Sequence, residues 1–197
     1  MTWFFDMLQA ALYTIFIQNL VFNGGYGASE AIRMSQKPKR FLPFSLMITY
    51  FSVATAVICR VLDERRAIRE LDDAAHAAIF GGVLIAVFLA TAALLKLIIK
   101  PNKKFISTLG ISALNTLVFA VPLINRNAGY GYIESVGTAL GSGVAFILAL
   151  LLISAGLRRL EENKDIPPLF RGTPAMFLYT AMLSLAFTGF SGSSLFS

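Results

Sequence analysis

The stretch Ala74-Ala-His-Ala-Ala-Ile-Phe-Gly-Gly-Val-Leu-Ile-Ala-Val-Phe-Leu-Ala-Thr-Ala-Ala-Leu-Leu95 runs for 22 residues without an aspartate, glutamate, lysine or arginine. A hydrocarbon core of ~30 Å is crossed by about 20 helical residues, so this stretch is long enough to span a bilayer. Five further uncharged stretches behave alike, at residues 7–29, 41–59, 105–125, 135–157 and 172–197. They fill most of the 197 residues and leave only short connections. The predicted fold class is all-α: a polytopic membrane protein of six transmembrane helices, forming a single integral membrane domain over 1–197. No soluble catalytic domain fits in what remains.

Composition agrees, with 56% hydrophobic and 14% charged residues, whereas soluble domains carry about 25% charged residues. The net charge of +6 does not point to nucleic acid, because the basic residues flank the spans. Six spans make the connections alternate in side. One side receives Arg33, Lys37, Lys39, Arg40, Lys96, Lys100, Lys103, Lys104, Arg158, Arg159, Lys164 and Arg171; the other receives Arg60, Arg65, Arg66, Arg69 and Arg126. By the positive-inside rule the first side is cytoplasmic, which predicts that both termini are extracytoplasmic. The N-terminus opens with Trp3, Phe4, Phe5 and Asp6 and has no basic n-region, so the first span is expected to be retained rather than cleaved as a signal peptide. The single cysteine, Cys59, excludes an internal disulfide and a cysteine-only metal cluster within one chain.

The basic, proline-marked connection at residues 96–104 divides the chain into halves of about 1–100 and 101–197. Each half starts with an asparagine-led apolar helix followed by Gly-Tyr-Gly-x-x-Glu. Asn19 precedes Gly25-Tyr26-Gly27-Ala28-Ser29-Glu30, and Asn115 precedes Gly129-Tyr130-Gly131-Tyr132-Ile133-Glu134. Halves of three spans enter the membrane in opposite directions, which predicts two inverted three-helix repeats. Gly24, Gly25 and Gly27 weaken the first helix, and Pro122 removes a backbone donor from the fourth, so both are expected to break. Backbone freed at depth needs partners, and Asn19 and Asn115 are candidates to supply them. The plainer reading of both is ordinary hydrogen bonding between helices.

The fifth stretch carries Gly137, Ala139, Gly141 and Gly143 at small-xxx-small spacing, which predicts close packing against a neighbouring helix. Thr173 followed by Pro174 reads as an N-cap that starts the last span. Glu30 and Glu134, matched by the repeat, are candidates to flank a cation path, since burying a carboxylate in a membrane is costly. The alternative places each at a helix end near the headgroups. His76 is expected to be solvated or weakly paired at the membrane surface, and residues 63–73 to form a short surface helix. Tyr26, Tyr130 and Tyr132 suit interfacial anchors. The sequence holds no phosphate loop, nucleophile triad or zinc spacing, so no catalytic or metal residues are assigned.

The final third is the most specific. Asp165-Ile-Pro-Pro-Leu-Phe-Arg-Gly-Thr-Pro174, then Met182-Leu-Ser-Leu-Ala-Phe-Thr-Gly-Phe-Ser-Gly192, resemble the C-terminus of RnfA/NqrE-type membrane subunits of the Rnf-Nqr family. The likeness extends through Ser154-Ala-Gly-Leu-Arg-Arg-Leu160 and Asn125-Arg-Asn-Ala-Gly129 to Gln18-Asn-Leu-Val-Phe22, over nearly the full chain. It implies six helices in inverted repeats, broken first and fourth helices, and a homologous paired subunit in a bacterial plasma (inner) membrane. It also implies a [2Fe-2S] cluster, shared by the pair and bound through a cysteine in each broken helix. In this sequence those positions are Ser29 and Thr116. Hydroxyls are poor substitutes for the four thiolates of such a cluster, so the chain is expected to bind no cofactor.

The function expected is that of an RnfA/NqrE-like integral membrane subunit of a redox-linked ion-translocating electron-transport system, without its own iron–sulfur cluster and at most non-catalytic. Its expected partners are membrane lipid and a homologous subunit or a second copy, with no nucleic acid. The alternative is a stand-alone homodimeric channel or transporter for a small cation or solute, using Asn19, Asn115, Glu30 and Glu134.

Overall fold

The computed structural model describes residues 2–99 and 101–191, so Lys100 and the 192–197 end of the last stretch lie outside the described residues. The chain is all-helical there. In order come α1 (Thr2–Leu12), a π-helical turn (Tyr13–Ile17), α2 (Ala28–Ser35), α3 (Phe41–Asp63), α4 (Arg66–Arg69), α5 (Asp73–Ile98), α6 (Lys103–Ala113), α7 (Thr116–Asn127), α8 (Tyr132–Glu162) and α9 (Thr173–Ser191). Among the described residues, four helical runs are long and apolar enough to cross a membrane, namely Pro38–Asp63, Asp73–Ile98, Lys103–Asn127 and Tyr132–Glu162. Thr2–Ile17 is a shorter apolar helix.

Side chains set several helix starts. The Asp72 carboxylate accepts from the Ala75 N–H at 3.1 Å to cap α5, and the Asn102 amide accepts from the Phe105 N–H at 2.8 Å to cap α6. Gly172, in the left-handed region at φ +78, precedes α9, and its carbonyl accepts from the Met176 N–H at 3.1 Å. The cap of the last helix is thus Gly172 rather than Thr173, because the chain turns into the helix through a conformation that a β-branched residue disfavours.

The core lies between α3 and α8, which share the most extensive interface. Phe44, Ile48 and Phe51 of α3 meet Phe146, Leu150 and Ile153 of α8, all at most 2% exposed. The small residues of α8 let other helices approach. A Cβ on Gly137 or Gly141 would overlap the backbone of Met7 and Ala11 in α1, and one on Gly143 would overlap Thr49 in α3. Around this centre the surface is strongly apolar: Leu46, Leu89, Leu94, Leu97, Leu178 and Met182 are each more than half exposed. Such a surface suits lipid as its solvent.

Candidate functional site

Two breaks interrupt the apolar helices, and they meet. The first begins after the π-helical turn, where residues 18–27 leave the helix and re-form it as α2. Gly25 and Gly27 take φ of +68 and +73, conformations that cost an L side chain energy but not glycine. Asn19, fully buried, sets the loop. Its Oδ1 accepts from the N–H groups of Val21 at 3.1 Å and Phe22 at 3.3 Å, and its Nδ2 donates to the Ile15 carbonyl at 3.2 Å. Leu20, Val21 and Phe22 fill the interior beside it, with Phe22 stacked 4.5 Å from Phe187.

The second break is short. Helix α6 ends at Ala113 and α7 begins at Thr116. Asn115 bridges them as the N-cap, its Oδ1 accepting from the Leu117 N–H at 2.8 Å. Pro122, expected to cause the interruption, instead lies buried within continuous α7. The break belongs to Asn115, whose side chain supplies the acceptor that an ended helix needs, whereas the absent N–H of Pro122 costs one internal bond without stopping the helix.

The contact runs from Gly27 to Thr116. The Gly27 N–H donates to Thr116 Oγ1 at 2.9 Å, and a Cβ on Gly27 would stand 2.7 Å from Asn115 Oδ1. The N-termini of α2 and α7 therefore converge, which concentrates partial positive charge and favours electron-rich groups there. Asn19 belongs to the first break and Asn115 to the second, both buried, and no hydrogen bond joins them among the described residues. Around the contact Asn23, Gly24, Gly25, Tyr26, Ser29, Leu114 and Thr116 are exposed.

The two glutamates sit in different surroundings. Glu30, in the first turn of α2, accepts from Ser29 Oγ at 3.0 Å and lies 3.8 Å from Arg33. Glu134, in the first turn of α8, lines an open cavity of about 330 Å³ with Asp6, Gln9, Tyr13 and Tyr130. Ser29 and Thr116, at the expected cluster positions, offer hydroxyls that already serve Glu30 and Gly27. Cys59 is buried on α3 and shares a small cavity lining with Asp63. This donor set does not fit an iron–sulfur cluster, which needs thiolates or imidazoles.

A second polar centre closes one end of the bundle, and it corrects the expectation for His76. His76 is fully buried rather than solvated. Its Nδ1 donates to the Asp72 carbonyl at 2.9 Å, and its Nε2 lies 3.1 Å from Asp63 Oδ1. Asp63 also faces Arg126 Nε at 3.5 Å and Arg60 Nη1 at 3.7 Å. Arg126 reaches Asp73 at 2.7 Å, and the Tyr132 hydroxyl donates to Glu64 at 2.6 Å beneath the Arg60 guanidinium. Tyr132 is therefore tied to this cluster. The sequence signal was the excess of acids in residues 63–73, which pairs with Arg126 only once α5 and α7 are brought together.

The chain matches the model of the Rnf-Nqr family, described as membrane-protein subunits, over residues 7–194. It is 32% identical over 183 residues to a component of the ion-translocating oxidoreductase complex of Pseudomonas paraeruginosa, covering 90% of this chain and 92% of that one. It is 28% identical over 200 residues, 99% of this chain and all of the other, to a component of the Na(+)-translocating ferredoxin:NAD(+) oxidoreductase complex of Acetobacterium woodii. A component of the proton-translocating ferredoxin:NAD(+) oxidoreductase complex of Clostridium ljungdahlii is 40% identical over 80 residues, a local match of 41% of each chain. Matched along nearly its whole length, and with long apolar helices among the described residues, this chain belongs to the Rnf-Nqr family of membrane subunits.

Proposed function

We propose that this chain works as an RnfA/NqrE-like subunit within a redox-linked, ion-translocating complex of the bacterial plasma membrane, without an iron–sulfur cluster of its own. One observation carries the reading: the two meeting breaks leave exposed residues, Gly24 and Gly25 of the irregular segment among them, on an apolar bundle. Backbone N–H and C=O groups at membrane depth need protein or water to cover them, so the breaks call for a partner. A homologous membrane subunit, or a second copy of this chain, suits that place. The relatives from Pseudomonas, Acetobacterium and Clostridium, each one component of an oxidoreductase complex, support the first.

In this reading the helices form six spans in two inverted halves, about 1–100 and 101–197, with both termini extracytoplasmic. The π-extended α1 with α2 makes the first span, α6 with α7 the fourth, and α9 the sixth. The extensive α3–α8 interface supports the arrangement, since these are the second helices of the two halves. With hydroxyls at Ser29 and Thr116, the chain contributes by docking its partner and shaping the polar ground between the breaks, where Asn19 and Asn115 lie, rather than by carrying electrons.

Purification of the tagged full chain from its native membranes tests this. Flavin- and iron–sulfur-bearing subunits should come with it, and the isolated chain should hold no stoichiometric iron. A homo-oligomer without companions would favour a stand-alone channel or transporter for a small cation or solute. Iron that disappears on Cys59→Ser would overturn the cluster-free assignment alone.

A further inference from the structure

A small cavity lies beside Asp63, inside the charged end of the bundle. Its volume is about 10 Å³, and Arg60, Asp63, Asn125, Arg126 and Ser135 line it, with the Pro122 ring in its wall. Three buried side-chain atoms on this lining have no hydrogen-bond partner among the described residues: Arg60 Nε, Asn125 Oδ1 and Ser135 Oγ. They come from three helices, α3, α7 and α8. Asn125 is 4% and Ser135 1% exposed, so bulk solvent does not serve them. The other face of the Asn125 amide is engaged, its Nδ2 donating to the Ser135 carbonyl at 3.3 Å, which fixes Oδ1 as the free acceptor.

We propose that this cavity is a binding site for one water molecule, held by Arg60 Nε, Asn125 Oδ1 and Ser135 Oγ. The size agrees, because a void of roughly 10–15 Å³ seats a single water and a buried water needs two to four polar partners. The chemistry selects water over an ion. The water accepts from Arg60 Nε–H, donates to Asn125 Oδ1, and exchanges a hydrogen bond with Ser135 Oγ, which serves as either donor or acceptor. A cation would face the guanidinium groups of Arg60 and Arg126 at close range. An anion would face the Asp63 carboxylate and an amide oxygen with no hydrogen to offer. Only a neutral group with both donor and acceptor capacity satisfies all three atoms. The bound water thereby ties α7 and α8 to the α3 end that carries the Asp63–His76 contact.

The test is a crystal structure of the full chain grown from a lipid mesophase at a resolution that shows waters, determined in sodium chloride and again in sodium bromide. One density peak is expected at hydrogen-bond distance from all three atoms, with no bromide signal. Ser135→Val, which fills the space and removes the hydroxyl, should lose that peak while His76 stays against Asp63. A peak at the shorter distances of a coordinated cation, an anomalous bromide peak, or no peak with Arg60 Nε bonded to a protein acceptor would each overturn the proposal. The unsubstituted chain decides the matter even if Ser135→Val fails to fold.

Discussion

The two helix breaks meet at one contact but are built on different scales. The first removes residues 18–27 from the helix and turns through Gly25 and Gly27; the second removes only residues 114–115, and Asn115 restarts the helix at once. A longer break strands more backbone groups, and the work of each asparagine follows. Asn19 accepts two N–H groups and donates to a carbonyl, whereas Asn115 accepts one. An apolar interior thus tolerates irregular backbone to the extent that nearby side chains complete its hydrogen bonds.

The two breaks differ most at Asn19. Asn19→Ala leaves two buried N–H groups without an acceptor at about 1–3 kcal/mol each, so a loss of roughly 2–6 kcal/mol is expected in unfolding of the nanodisc-embedded chain. Gly27→Ala comes next. It combines a left-handed residue, costing ~1–2 kcal/mol, with crowding against Asn115 Oδ1, costing ~1–3 kcal/mol. Gly25→Ala is the control: with φ +68 but open space around the new Cβ, it should show the backbone cost alone. Equal losses at the two glycines would mean that the contact between the breaks is looser than described.

Thr116→Val should cost about 1–2 kcal/mol, because the Gly27 N–H loses its acceptor, while Thr116→Ser should remain close to the parent chain. Asn115→Ala is the smallest expected effect, about 1 kcal/mol for a single N-cap. Melting curves that put Asn115→Ala at or above Asn19→Ala would reverse the order on which the comparison stands.

Much of the first break was legible in the sequence, since clustered glycines beside an asparagine signal backbone that has left the helix. The second was misplaced onto Pro122. Proline is the louder residue in a sequence, yet a helix accommodates one missing donor more readily than it forgoes a good N-cap, and Asn115 is that cap. The packing of α8 followed from its small residues, because a glycine face has few uses other than close approach. His76 was unreadable for a different reason. Its partners, Asp63 and the Asp72 carbonyl, are gathered by the α4 connection between α3 and α5, and the arginine that completes the group stands 53 positions beyond Asp73. Local pattern carries the acids and the base separately, and only tertiary packing turns them into a buried cluster.

The glycine face of α8 also bears on the order in which the chain is made. Ribosomes deliver α1 and its loop first, long before Thr116, which lies 89 residues after Gly27. In that interval the Gly27 N–H has no hydroxyl to meet, and α1 has no surface of Gly137 and Gly141 to rest on. Asn19 is the acceptor that travels with the loop itself, so the earliest irregular backbone is provided for by its own segment. The surface on which α1 rests, at Gly137 and Gly141, is thus made long after α1 itself.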